Sequence, residues 1–226
     1  MNIALIPARG GSKRIPQKNI KYFNGFPIIY YAINNAINSK LFDHIFVSTD
    51  DEEIKIISEK FGAKCIAIRP EILSNDLTST LLVIQYEINN MEKFNIFPEF
   101  ICCIYPCSPL INKNDLIDSY KLQIKNPNKF VLPIIKFRSK IQRALKLNNE
   151  NELSNFFNKY EFTRSQDLEE CYHDAGQFYW GHKSTWLNSD SVFNNSIGYE
   201  LPINKLIDID TIDDWEFAEK IYKNQI

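Results

Sequence analysis

A loop rich in glycine and cations follows the first apolar segment of the chain and has the composition of a phosphate site. Residues 3–6 form an apolar run that predicts a short buried strand, and Gly10 and Gly11 come soon after it. Glycine lets the backbone approach a ligand closely, and cations stabilise an anion that is held away from water. The loop contains four cations: Arg9, Lys13, Arg14 and Lys18. The alternative is an exposed basic loop that binds nothing.

Two aspartates near the end of the chain have the spacing of a metal site. Asp208 and Asp210 alternate with Ile207 and Ile209. If this segment is a strand, both carboxylates point to one face and repel each other unless a cation joins them. Mg²⁺ is the expected cation, because it prefers oxygen ligands and bridges to substrate phosphates. The alternative is that Asp208 is solvent-exposed and Asp210 only caps the last helix.

Residues 163–181 combine polar, charged and aromatic side chains in a way that is typical of a sugar site. Aromatic faces cover the apolar edges of a sugar ring, while polar groups bind its hydroxyls. An acidic sugar also needs a cation, and Arg143 and Arg164 are the candidates for binding its carboxylate. The alternative is that Arg164 forms an ion pair with Asp167 or Glu169 at a dimer contact.

Strand and helix patterns alternate along the first 135 residues and predict an α/β fold, a doubly wound, mostly parallel sheet in three layers. Strands are predicted at 3–6, 44–48, 64–68, 100–105 and 130–135, and helices at 28–37, 51–61, 81–91, 115–124 and 213–223. In such sheets ligands bind at the carboxyl ends of the strands. This rule places the first loop, residues 48–50, Arg69 and residues 105–109 on one rim.

The regular pattern ends after residue 135. We interpret the whole chain, 1–226, as a single domain in which residues 137–180 leave the sheet as a lid, a dimer contact, or both. Residues 141–147 within this excursion could form a strand.

The overall composition is that of an ordinary soluble protein and limits the classes of partner. The 226 residues are 44% hydrophobic and 24% charged, with a formal net charge of -2, so neither nucleic acid nor membrane is an expected partner. None of the five cysteines forms a C-x-x-C pair, which favours reduced thiols and a cytoplasmic location. No signal peptide or membrane-spanning run is recognised.

The first loop resembles the nucleotide-binding signature of the sialic-acid-type cytidylyltransferases, which transfer CMP from CTP to nonulosonic acids. The signature reads Ala-Arg-x-x-Ser-Lys, a proline and Lys-Asn, and this sequence has Ala8-Arg9, Ser12-Lys13, Pro16 and Lys18-Asn19. The resemblance covers nearly the whole chain and implies the fold of nucleotide-diphospho-sugar transferases. The nucleotide-binding residues that it implies are Ala8, Arg9, Gly10, Ser12, Lys13, Lys18, Asn19, Arg69 and Thr80.

The resemblance also implies catalytic roles. The family has an Asp-x-Asp-Thr segment that holds Mg²⁺ before its C-terminal helix, which matches Asp208 and Asp210. Arg9 and Lys18 are then expected to neutralise the phosphates during transfer. Because no histidine is a convincing general base, the metal is the expected means of activating the sugar hydroxyl.

The family pattern also includes an Arg-Pro pair, an aspartate and a Ser/Thr-rich helix start that face the nucleotide. Arg69, Asp76 and Thr80 match this pattern. Arg69 could instead be a surface charge, and Thr80 could be a plain helix cap.

Residues 141–147, residues 163–181 and Tyr105-Pro106 resemble the branch of this family that acts on pseudaminic acid. Cys107 departs from the branch, which usually has threonine there. The family also suggests a homodimer in which each subunit contributes to its neighbour's sugar site. The sugar-binding residues that this resemblance implies are Tyr105, Arg143, Arg164, Gln166, Asp174, Gln177 and Tyr179.

Three alternatives remain. The acceptor could be N-acetylneuraminic, legionaminic or 3-deoxy-manno-octulosonic acid. The chain could be a nucleotide-sugar-dependent glycosyltransferase, although the Asp-x-Asp motif of those enzymes normally lies mid-chain. It could also be a binding protein that has lost turnover, which the retained cations and aspartates disfavour.

Overall fold

The computed structural model describes residues 1–205 and 207–225. Its strands are β1 (Asn2–Pro7), β2 (Tyr22–Phe23), β3 (Phe26–Pro27), β4 (His44–Ser48), β5 (Phe100–Ile104), β6 (Phe130–Lys136), β7 (Leu145–Leu147), β8 (Leu153–Asn155), β9 (Tyr172–Asp174), β10 (Phe178–His182) and β11 (Ser196–Glu200). Its α-helices are α1 (Ile29–Ser39), α2 (Glu52–Lys60), α3 (Thr80–Lys93), α4 (Lys113–Lys125), α5 (Lys183–Asn188) and α6 (Ile212–Gln225).

The central sheet has the strand order β11-β6-β10-β5-β1-β4, and β9 also pairs with β6. β1 is parallel to β4 and β5, and β11 is parallel to β6. β10 runs antiparallel between β5 and β6, and β9 is antiparallel to β6. The predicted mostly parallel sheet is confirmed, with β9 and β10 as the antiparallel exceptions.

Helices cover both faces of this sheet, because successive side chains of its buried strands point in opposite directions. Ala4 and Ile6 of β1 pack in the core on the face covered by α1 and α4. Ile3 and Leu5 pack in the core on the opposite face, which is covered by α3 and α5. The three-layer, doubly wound architecture is therefore confirmed.

Residues 64–68 do not form the predicted strand. Lys64 makes an isolated bridge to Phe46, and bends follow at residues 66–67. The chain turns here because Arg69 donates its backbone N–H to the Thr49 carbonyl, 2.8 Å away, which anchors the segment beside the end of β4.

The predicted excursion is shorter than residues 137–180. Residues 137–171 leave the sheet and include the hairpin of β7 and β8, whereas β9 and β10 return to it. Phe178 and Trp180 are fully buried core residues. Their aromatic character suggested a binding surface, but it reflects packing inside the sheet.

Residues 207–210 have no regular secondary structure and do not pair as a strand. Ile207 and Ile209 are nevertheless buried, in a cluster with Trp215 of α6, while Asp208 is exposed. The predicted alternation of isoleucines that face the core with aspartates that do not is therefore observed. It results from packing of the isoleucines and not from strand pairing. Leu206, which precedes these residues, lies outside the described residues.

Within the described residues, no helix combines the length and apolar character needed to cross a bilayer. The five cysteines are free thiols, and Cys102 and Cys103 are buried in β5.

Candidate active site

A cleft of about 800 Å³ opens at the carboxyl ends of β1 and β5, where the strand-end rule predicted a site. Its volume is in the range typical of ligand sites. Most of the predicted site residues line it: Arg9, Ser12, Lys13, Lys18, Asn19, Arg69, Thr80, Tyr105, Asp174, Gln177, Tyr179 and Asp208. This placement brings the predicted nucleotide and sugar residues together, and their individual roles stay predictions.

Ala8 and Gly10 attach the first loop to Ser48 and Asp50 through their backbone N–H groups. The Ala8 N–H donates to the Ser48 carbonyl at 2.8 Å, and the Gly10 N–H donates to Asp50 Oδ1 at 2.9 Å. The N–H of Gly10 is thus engaged by the protein in this structure. Gly10 also lies so close to Asp51 that a Cβ atom there would be 2.7 Å from Asp51 Oδ2 and 3.0 Å from Asp51 Cβ.

We expect Gly10→Ala to lower the free energy of unfolding by about 1–3 kcal/mol, the usual cost of forcing extra atoms into a packed site. The matched control is Gly11→Ala, because a Cβ at Gly11 would meet no atom within 4 Å. Urea unfolding of both variants measures the difference. Equal stability of the two variants would contradict the close packing of the loop against Asp51.

The side chain of Asn19 stabilises the first loop through hydrogen bonds. Its Nδ2 donates to the Arg9 carbonyl at 2.9 Å, and the Cys107 thiol donates to its Oδ1 at 3.4 Å. Burial raises the pKa of Cys107 to about 12, so the thiol stays protonated and able to donate. The cysteine therefore supplies a hydrogen-bond donor at the position where the resemblance implies a threonine.

Two carboxylates pair with the four loop cations. Asp76 Oδ1 is 2.6 Å from Arg9 Nη1, and Asp76 Oδ2 is 2.6 Å from Lys13 Nζ. Asp210 forms a two-pronged pair with Arg14, with Oδ1 and Oδ2 each 2.8 Å from a guanidinium nitrogen.

Lys18 joins the loop to the C-terminal aspartates. Its Nζ donates to the Ile209 carbonyl at 2.7 Å and lies 3.6 Å from Asp210 Oδ1. Lys18 and Arg14 together hold residues 207–210 against the first loop. The alternative of Asp210 as a helix cap is wrong, because Thr211 accepts a hydrogen bond from the Asp214 N–H at 3.2 Å instead.

Arg69 is a buried cation at the cleft wall, with 4% of its surface exposed. Its Nε donates to Ser74 Oγ at 3.0 Å, and its Nη2 lies 3.9 Å from Asp50 Oδ1. Burial lowers the pKa of the guanidinium, which Asp50 and Glu87 partly offset. The surface-charge alternative is therefore wrong.

Glu87 is a buried carboxyl group that sequence reasoning missed. It is 3% exposed, accepts a hydrogen bond from Ser48 Oγ at 2.6 Å, and has a pKa raised by its burial. Glu87 offsets the buried charge of Arg69. The available signal was its place on the apolar stripe of α3, between Ile84 and Met91.

Thr80 lies at the start of α3 but does not cap it. Ser79 caps the helix by accepting from the Leu82 N–H at 3.3 Å. The Thr80 hydroxyl instead lies 2.9 Å from the Tyr105 hydroxyl, at the cleft wall. The capping alternative for Thr80 is therefore wrong.

The cleft wall also carries residues predicted to bind the sugar. The Tyr179 hydroxyl donates to Asp174 Oδ2, and the Tyr105 and Tyr179 rings meet edge to face at 5.5 Å. Gln177 is buried, and its Nε2 donates to the Ala175 and Ile207 carbonyls at 3.0 and 3.2 Å. These contacts fix the side chains that line this wall.

The two C-terminal aspartates are suited to binding a divalent cation together with phosphates. Asp208 lines the cleft and has no hydrogen bond or ion pair with the described residues. Partial burial and the neighbouring Asp210 raise its pKa, an effect that Lys18 and Arg14 oppose only in part. No group of three or more His, Cys, Asp and Glu side chains arranged for a metal occurs in residues 1–205 and 207–225. Two carboxylates still fit Mg²⁺, which commonly completes its shell with water and substrate phosphates.

Three predicted sugar residues lie away from the cleft of their own chain. Arg143 donates to the Thr163 carbonyl, and Arg164 forms the alternative ion pair with Asp167, at 2.8 Å. Gln166 is exposed in the same excursion. One subunit therefore does not assemble the complete predicted sugar site.

Comparison with known proteins identifies the family to which this fold and cleft belong. The family model described as "Cytidylyltransferase" matches residues 3–225. The chain belongs to the cytidylyltransferase family, and it is a nucleotidyltransferase that uses CTP, as the sequence predicted.

Two relatives of the chain are named as cytidylyltransferases. The chain is 45% identical to a pseudaminic acid cytidylyltransferase from Campylobacter jejuni subsp. jejuni serotype O:2, over 98% of this chain and 96% of that protein. It is 31% identical to an N-acylneuraminate cytidylyltransferase B from Danio rerio, over 96% of this chain and 50% of that protein.

The fold is also that of a solved structure, a CMP:2-keto-3-deoxy-manno-octonic acid synthetase complexed with CTP. The TM-score is 0.72 at 15% identity, over 100% of this chain and 99% of that chain.

Proposed function

We propose that this enzyme transfers CMP from CTP to the anomeric hydroxyl of pseudaminic acid and releases pyrophosphate. The observation that carries this choice of sugar is the similarity, over nearly the full length, to a pseudaminic acid cytidylyltransferase. The lower identity to an N-acylneuraminate enzyme supports the same choice. The free cysteines agree with a reducing compartment, and we place the reaction in the cytoplasm.

The transfer forms one bond and breaks one bond at the α-phosphorus. The anomeric oxygen attacks this phosphorus and loses its proton, and the bridging oxygen between the α- and β-phosphates leaves with pyrophosphate. Negative charge therefore moves toward the leaving group. Arg9 and Lys18, which line the cleft, would neutralise that charge, and Ser12 and Lys13 would complete the phosphate cradle.

Asp208 and Asp210 would hold Mg²⁺ in this account. When bound, the ion polarises the α-phosphate and lowers the pKa of the attacking hydroxyl. Asp208 has free oxygens for this role, whereas Asp210 must be shared with Arg14 and Lys18. The two cations also keep the segment that carries both aspartates at the edge of the cleft.

Residues from two subunits would bind the sugar. Tyr105, Asp174, Gln177 and Tyr179 line the cleft of the same chain. Arg143, Arg164 and Gln166 lie on the excursion and would reach the cleft of a partner subunit. A partner arginine would then bind the carboxylate of the sugar acid.

The surface of the excursion supports a homodimer. Large apolar side chains are exposed there, including Leu147 at 65% and Phe162 at 93% exposure. Leu147 pairs with Leu153 across the hairpin of β7 and β8, so their side chains share one face, and Leu145 lies on that face as well. Clustered exposed apolar residues mark interaction surfaces, and the occupant proposed here is a second copy of the chain.

We expect the protein to sediment as a dimer at micromolar concentration and Leu147→Glu to sediment as a monomer, because a charge on this apolar face is costly to bury. Ile56→Glu is the control, since Ile56 is also exposed but lies on α2. Analytical ultracentrifugation makes the comparison. A wild-type protein that is monomeric throughout would contradict the dimer and the shared sugar site.

The test of the function is pyrophosphate release from CTP, pseudaminic acid and Mg²⁺, with the product identified by mass spectrometry. The proposal expects CMP-pseudaminic acid and one pyrophosphate for each sugar consumed. UTP and ATP in place of CTP are the controls for the nucleotide. Pyrophosphate release that does not depend on a sugar acid would contradict the proposed transfer.

A further inference from the structure

The pairing of Asp76 with the first loop has a consequence for ligand selectivity. One carboxylate places an oxygen on each of two cations, Arg9 and Lys13, at 2.6 Å. Two adjacent phosphate oxygens of a nucleotide would need the same two nitrogen atoms. Both cations draw the pKa of Asp76 down, Lys13 more strongly, so the carboxylate is an anion at neutral pH.

Asp76 belongs to an exposed stretch of the segment that connects Arg69 to α3, outside the core. Residues 70–79 connect Arg69 to α3, and most of their side-chain hydrogen bonds lie within the segment. Asn75 Oδ1, for example, accepts from the N–H groups of Leu77 and Thr78 at 2.9 and 3.0 Å. Leu77, next to Asp76, is 95% exposed, so no packed side chain holds this part of the segment in place.

We infer that Asp76 is a selectivity residue, because its carboxylate competes with the nucleotide phosphates for Arg9 and Lys13. Ligands whose phosphates must pair with these two cations are therefore bound more weakly, whereas ligands without phosphates are not affected. The inference rests on the proposed use of CTP. A triphosphate must displace Asp76 to reach both cations. The apparent affinity for the triphosphate is therefore reduced by the fraction of protein molecules in which Asp76 is paired with Arg9 and Lys13. Cytidine has no phosphate and displaces nothing.

The same geometry allows an opposite effect, which the experiment separates. Asp76 could help binding by holding Arg9 in an ordered position, because an ordered side chain loses less entropy when a ligand arrives. The competing effect is expected to dominate, since both oxygens of Asp76 occupy the positions that phosphate oxygens would take. The two effects change CTP affinity in opposite directions.

The test is calorimetric binding of CTP, inorganic pyrophosphate and cytidine to wild type and to Asp76→Asn, without divalent cations. Asparagine keeps the size of the side chain and removes its charge. CTP and pyrophosphate should bind about two- to tenfold more tightly to the variant, the gain expected when two exposed ion pairs no longer have to be broken. Cytidine should bind both proteins equally, which also reports that the variant is folded.

Asp118→Asn is the matched control. Asp118 is an exposed carboxylate that pairs with Lys121 at 2.7 Å on α4, so its replacement changes the net charge equally without touching the first loop. Weaker or unchanged binding of CTP and pyrophosphate by Asp76→Asn would overturn the inference, as would an equal gain in Asp118→Asn. If wild type bound pyrophosphate but neither CTP nor cytidine, the proposed function would fail, and the inference about CTP would fail with it.

Discussion

Asp208→Asn is expected to lower kcat by about 10²–10³-fold, the loss typical when a group that stabilises transition-state charge is removed. Asp208 is the aspartate whose oxygens are free at the cleft wall, because Arg14 and Lys18 engage Asp210. The amide of asparagine has no charge to offer a divalent cation. The Mg²⁺ concentration for half-maximal rate should therefore rise as well.

Steady-state rates of pyrophosphate release over a Mg²⁺ series measure both effects. Asp213→Asn is the matched control, since Asp213 is an exposed aspartate in the first turn of α6. It should retain the wild-type rate and metal dependence. Near-normal turnover by Asp208→Asn at ordinary Mg²⁺ would refute the metal assignment.

Arg9→Ala is expected to lower kcat/KM for CTP by about 10²–10³-fold, because it removes a cation aimed at the phosphates. The Arg9 side chain projects into the cleft, while its backbone carbonyl is held by Asn19. The substitution removes the guanidinium and leaves that backbone contact available, so the loop should keep its shape.

The assay is pyrophosphate release together with calorimetric CTP binding. Lys121→Ala, on the exposed face of α4, is the control for the loss of one positive charge. It should behave as wild type in both measurements. An Arg9→Ala enzyme with unchanged turnover and unchanged CTP binding would remove Arg9 from the phosphate cradle.

The fold was predictable where local patterns and burial agree. β1 and β5 are continuous apolar runs, and β4 coincides with the predicted residues 44–48. The helix predicted at 51–61 corresponds to α2, and Asp51 caps it by accepting from the N–H groups of Glu53 and Ile54. Each of these features depends mainly on residues that are close in sequence.

β10 was missed because its position depends on contacts that are distant in sequence. Phe178 and Trp180 pair with β5, more than seventy residues earlier, and are fully buried. A run of aromatic residues does not by itself distinguish a core strand from a carbohydrate surface. Residues 64–68 also carry a strand pattern but form a single bridge. Whether they pair as a strand depends on contacts with distant parts of the chain, which the local pattern does not show.

The site was predictable in its residue types but not in its pairings. The cations of the first loop are visible in the sequence, whereas their partners Asp76 and Asp210 lie far along the chain. Glu87 was not predicted to belong to the site, because a charged residue on a helix is usually exposed to solvent. Arg143 and Arg164 lie outside the cleft of their own chain, so their proposed role needs a second subunit that one sequence does not describe.

CMP transfer to pseudaminic acid is tested by comparing two sugar acids in one assay. Wild-type enzyme would receive CTP, Mg²⁺ and equal concentrations of pseudaminic acid or N-acetylneuraminic acid, with pyrophosphate release as the readout. We expect release with pseudaminic acid and little or none with N-acetylneuraminic acid. Release with N-acetylneuraminic acid alone would keep the cytidylyl transfer and contradict the proposed sugar.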